Sequence, residues 1–126
     1  MKNSSTNIQQ EAYQKLQPLL LKTKLKQEQL SKAIFITKDS IISFLKRQVE
    51  QGNWQEVQEI LKGKPMTEAG SFLVEELRDS VVSKLILRLG LRKFIAVGIA
   101  LVLLPLLLAR LSGELLFKLR KREAEA

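Results

Sequence analysis

The 126-residue chain has no cysteine and no histidine. Disulfides are therefore excluded, and so is a thiol nucleophile. Without imidazole the chain also lacks the commonest general base, and without either residue it lacks most zinc and iron ligands. The absence of cysteine fits a reducing compartment without requiring one. Glycine and proline are sparse, at six and three residues. The glycines stand singly at helix ends or within helices, so no glycine-rich phosphate loop can be drawn. Aromatic residues number only seven, five of them phenylalanine, and Trp54 is the sole tryptophan. No stretch alternates like a strand, and no internal repeat is visible. The first ten residues, MKNSSTNIQQ, carry one lysine and no apolar core, so no secretory signal is read there. These absences remove the usual catalytic pairings. The expectation is a protein that is not an enzyme, with no catalytic, cofactor-binding or metal-ligating residue to assign.

Acidic residues are also in deficit, 13 against 21 basic ones, for a net charge of +8. Such an excess favours a polyanionic partner: anionic lipid, an acidic protein or nucleic acid. Nucleic acid is the weakest of these, because the cations are spread over every helix with neither interleaved aromatics nor a recognition-helix motif. Glu75, Glu76 and Asp79 could together attract a hard cation, but they share their helix with Arg78 and read as a solvated face.

What is present is helical periodicity. Asn7, with Gln10 three residues on, suggests a capping box over Ile8 and a short helix through Tyr13 and Leu16 that ends near Pro18. Pro18 could instead open the next helix. From Leu19 to about Phe35 apolar residues recur at Leu21, Leu25, Leu30, Ala33 and Ile34. Asp39 or Ser40 can cap a further helix carrying Ile41, Ile42, Leu45 and Val49, with Gly52 as its left-handed terminator. Asn53 and Glu56 suggest a second capping box, over a helix with Trp54, Val57, Ile60 and Leu61 on one side, stopped by Gly63 and Pro65. Trp54, in a first turn, reads as a packing anchor. Thr67 can cap a helix to about Leu89, with Leu73, Leu77, Val81 and Leu85 as its inner stripe and Gly90 closing it. The fold class is all-α: a small helical bundle followed by a strongly apolar C-terminal helix. The expected division is a flexible N-terminus over 1–6, an amphipathic bundle over 7–90, an apolar helix over 91–111 and a basic tail over 112–126.

The apolar segment decides where such a protein works. Phe94 to Ala109, FIAVGIALVLLPLLLA, is sixteen residues with no polar side chain. At about 1.5 Å per residue it spans roughly 24 Å, short of a hydrocarbon core of about 30 Å. Leu91 and Leu111 extend it, with Arg92, Lys93 and Arg110 reaching outward to the headgroups. Gly98 and Pro105 are compatible with a membrane helix.

Three placements follow. A spanning helix is favoured by the lack of a polar face, with Phe94, Ile95, Val97, Leu101, Leu104 and Leu107 in lipid. A core helix of a soluble, self-associating module is the alternative, with Pro105 a natural break between two shorter helices. An interfacial or re-entrant element suits the borderline length. For the spanning case Arg92, Lys93, Arg110, Lys118, Arg120, Lys121 and Arg122 are the expected headgroup contacts, attracted to anionic lipid. With seventeen residues after Ala109, the topology would be of tail-anchor type with the bulk of the chain cytoplasmic. The cations on the two flanks nearly balance, so charge leaves orientation open.

Over about residues 41–116 the chain resembles a YidB-like bacterial family of unknown function. The resemblance is carried by QVEQGNWQEVQEILKG, then LVEELRDSVVSKLILRLGL, then an apolar helix interrupted by LLP. In that family a K–L–x–x–x–x–G–L step leads into a final helix pair of a small soluble α domain. Lys84, Leu85, Gly90 and Leu91 occupy that step here, and Pro105 the interruption. The resemblance implies no catalytic residue and favours the soluble-core placement. The chain departs from it in a much more leucine-rich final helix, whose small residues are reduced to Ala96, Gly98 and Ala100.

Overall fold

The structure is a computed structural model and describes residues 10–18, 27–62 and 67–125. Among these residues five helices follow one another: α1 over 10–18, α2 at Gln27–Glu50, α3 at Trp54–Leu61, α4 at Glu68–Leu89 and α5 at Lys93–Glu125. Among the described residues there is no strand. α5 packs against α2, α3 and α4, and α2 and α4 also pack on each other. The apolar stripes of the amphipathic helices thus converge on α5 in a single core. Ala12 and Leu16 of α1 are buried in that core, and Glu11 pairs with Arg110 of α5.

The helix ends show which sequence signals act. Gly52 takes the left-handed conformation at φ 88°, and the paired bonds of a Schellman terminator close α2. The Gly52 N–H donates to the Val49 carbonyl and the Asn53 N–H to that of Gln48. Gly90 ends α4 in the same conformation, at φ 67°. Thr67 caps α4 as its position predicts: its hydroxyl oxygen accepts from the Gly70 N–H at 3.0 Å. That hydroxyl also donates to the Glu59 carboxylate at 3.0 Å, which ties α3 to the start of α4. Thr67→Ala removes both contacts and is expected to lower stability by about 1 kcal/mol, read as a shift in the urea midpoint.

Three sequence expectations are corrected. Asp39 and Ser40 do not cap a new helix, because α2 runs through them without a break. The Thr37 and Ser40 hydroxyls donate back to the carbonyls of Ala33 and Ile36 at 2.8 and 2.7 Å. Both hydroxyls lie on the buried side of α2 and are engaged one turn back with the running helix, so the cap signal is silent. Asn53 precedes α3 but its side chain makes no capping bond. The amide donates instead to the Gln48 side chain at 2.7 Å.

The third correction concerns the C-terminus. Pro105 breaks nothing, and residues 112–125 are not a separate tail, since α5 is one helix of 33 residues. The proline removes one N–H from the ladder and crowds the Leu101 carbonyl. Both residues lie on the exposed side of α5, where the freed carbonyl can meet water. Pro105→Ala restores the ladder without touching the core, and is expected to raise stability by about 2–3 kcal/mol in urea unfolding. The Asn7 cap, Leu21, Leu25, Gly63 and Pro65 lie outside the described residues.

Candidate functional site: an apolar groove along the C-terminal helix

α5 is two-sided although its sequence is not. Ala96, Ile99, Ala100, Leu103 and Leu107 recur three or four residues apart and are fully buried. Toward the C-terminus the buried row passes to Leu104, Leu108, Leu111, Leu115 and Leu119. The inner row is held because α2 offers Ile41, Leu45 and Val49 to the core and α4 offers Leu77, Val81 and Leu85.

On the outer side, Phe94 is 65 % exposed and Leu101 51 % exposed. Val97 and Gly98 are half-buried, and Pro105 and Ala109 are exposed. With Ser112 and Leu116 these positions keep the same three-and-four spacing, so they form one row over a helix length of about 33 Å.

That row borders a groove of about 630 Å³ walled by Ile60 and Leu61 of α3, Val74 of α4, and Leu104 and Leu108 of α5. A neighbouring hollow continues past Leu101 between Val97 of α5 and Val82 and Ile86 of α4. Arg78 lines both. Among the described residues the charged ones lining the larger groove are Lys62 and Arg78, with no carboxylate. The hollow adds Lys93 and Asp79.

The residues expected in lipid therefore separate into three groups. Leu104 and Leu107 are buried in the bundle, Phe94 and Leu101 are exposed, and Ile95 and Val97 are half-buried. The expected headgroup cations are not brought together. Arg92 and Lys93 are exposed at the start of α5, while Arg110, Lys118, Arg120 and Lys121 are exposed toward its end. Two of the cations are engaged, Arg110 by Glu11 and Lys118 by Glu114 at 2.9 Å. The Lys118 hydrogen bond and charge hold the Glu114 carboxyl below its ordinary pKa. The side chain of Arg122 lies outside the described residues.

Glu75, Glu76 and Asp79 are exposed on α4, and among the described residues no acidic cluster is arranged to hold a metal ion. Trp54 is half-buried against the core. The separate exposed side chains Phe35, Phe72 and Leu87 are ordinary for a surface of this size.

The sequence reading missed the α4 wall. Leu73, Leu77, Val81 and Leu85 drew attention as the inner stripe. Val74, Val82 and Ile86 repeat that spacing one residue later, interrupted only by Arg78. That second, cation-interrupted stripe was the available signal for the groove.

Compared with protein families, curated proteins and solved structures, the chain shows no significant match. By length and composition, Lys93–Lys121 is able to cross a membrane, with mean hydropathy 2.5 in its most apolar stretch. The core helix of a soluble protein satisfies the same criterion. The class so defined is a helical bundle in which, among the described residues, one helix, α5, meets that criterion.

Proposed function

We propose that this is a non-enzymatic, membrane-associated bundle that lies on an anionic bilayer surface through the outer side of α5, rather than crossing it. The observation that carries this reading is the division of α5 into a row packed on α2 and α4 and a row left open. A helix leaving the bundle to span a bilayer would strip its partners from the inner stripes of α2 and α4, and those stripes would then face water. A helix that stays in place keeps them covered. It still offers Phe94, Val97, Leu101 and Pro105 to the headgroup–acyl boundary, in the manner of an interfacial amphipathic helix. The net charge of +8 supplies the attraction to anionic lipid.

The spanning placement is the second reading, favoured by the hydropathy of Lys93–Lys121. The soluble, self-associating module is a third, favoured by the family resemblance over residues 41–116. One fractionation separates them. The proposed protein pellets with phosphatidylglycerol vesicles at low salt and is released by alkaline carbonate or by high salt. Retention through carbonate would establish a spanning helix instead. Recovery as a defined oligomer that never pellets with vesicles would overturn both membrane readings.

A further inference from the structure

We infer that the groove between α3, α4 and α5 receives an acyl chain of an anionic phospholipid, with Lys62 and Arg78 as its headgroup contacts. This deepens the interfacial reading and rests on it. The walls supply what a hydrocarbon chain requires: Ile60, Leu61, Val74, Leu104 and Leu108 present apolar side chains around an open trough. Its volume of about 630 Å³ falls in the range that takes small ligands, about 300–1,000 Å³. The trough is continuous with the open row of α5, so a chain need not leave the bilayer entirely to enter it.

Charge selects the occupant. Among the described residues the larger groove is lined by two cations and no carboxylate. Arg78 is half-buried and, among the described residues, has no ion pair with Glu75, Glu76 or Asp79. A guanidinium so placed is suited to bidentate contact with a phosphate. A second copy of the chain fits less well. A two-fold contact through this groove would gather both copies of Lys62 and Arg78, four cations, on one desolvated surface. Lipid removes that repulsion and matches the excess of cations along α5.

The test uses the absence of native cysteine. In the full-length protein, Ala109→Cys places a fluorescent probe on the exposed rim of the groove, and Gln55→Cys places one on the exposed side of α3 as a control. With vesicles of phosphatidylglycerol brominated on its chains, the probe at 109 is quenched and the probe at 55 is not. Zwitterionic brominated vesicles leave both unquenched. Lys62→Gln with Arg78→Gln weakens vesicle partition by about five-fold for each cation removed, roughly twenty-five-fold together. Arg78→Gln, a milder change, follows the same direction if the double variant does not fold.

Vesicle binding with the probe at 109 unquenched would overturn the groove and confine the interfacial contact to the start of the open row, around Phe94 and Leu101, where Leu101→Asp tests it separately. No vesicle binding by the unsubstituted chain would end both. Protection of position 109 by an acidic amphipathic peptide, with phosphatidylglycerol vesicles giving no quenching there, would assign the groove to a protein partner and overturn the lipid assignment.

Discussion

Leu103→Arg is expected to unfold the bundle, at a cost above about 4 kcal/mol. Leu103 is fully buried at the middle of the apolar run, in the row of α5 that faces the core. The substitution deletes a packed side chain, which alone costs about 2–5 kcal/mol. It also places a guanidinium where no carboxylate is buried nearby: among the described residues the buried polar side chains are Thr37, Ser40 and Gln48. A small domain has about 5–15 kcal/mol of stability in all, so the loss reaches the cooperative transition itself. The measurement is helicity and urea unfolding of the purified, lipid-free protein. Leu103→Ala serves as the milder companion, at about 3 kcal/mol. If α5 instead left the bundle for a bilayer, residue 103 would touch lipid, and lipid-free unfolding of the remaining helices would not register either change. An unchanged urea midpoint in both variants would sink the core placement of α5.

How far the sequence discloses this arrangement depends on the feature. Helix ends with a stereochemical cause were legible. Gly52 and Gly90 adopt positive φ, and Thr67 has a hydroxyl within reach of the first turn. Signals whose donor or acceptor had a competing use were misleading. Asn53 gives its amide to Gln48, and Ser40 gives its hydroxyl to the helix it was expected to begin.

The inner stripe of α4 was readable because polar residues flank it. α5 offered no such contrast. Every position from Phe94 to Ala109 is apolar, so periodicity could not say which side faces the core. Only the stripes of α2 and α4 choose the row through Ala96, Leu103 and Leu107, and that choice is tertiary. The proline misled for a related reason. Pro105 does not end α5, because it faces outward beside Leu101, where the carbonyl it frees can meet water. The basic residues were legible as a total and not as a site. Lys62, just past the end of α3, and Arg78 of α4 line one groove, and the sequence does not show that the two meet there.

Leu101→Asp is the counterpart on the open side, and its expected effect falls on binding rather than folding. Leu101 lies two residues before Leu103 but is half exposed, and the carboxylate of the variant can remain in water. Urea unfolding of the lipid-free protein should therefore move by less than about 1 kcal/mol. Vesicle partition should fall far more. The variant forfeits the apolar contact of a leucine and must bring a negative charge to an anionic interface, together about 2 kcal/mol, or roughly thirty-fold in partition. The pair of substitutions thus divides one apolar run by consequence, with Leu103 reporting on the core and Leu101 on the surface. Co-sedimentation with phosphatidylglycerol vesicles at low salt measures the second effect, and helicity of the unbound protein guards against misfolding. Full retention of vesicle binding by folded Leu101→Asp would mean that the open row of α5 does not meet the bilayer. The charge of +8 would then be acting from elsewhere on the molecule, and the interfacial reading would fall.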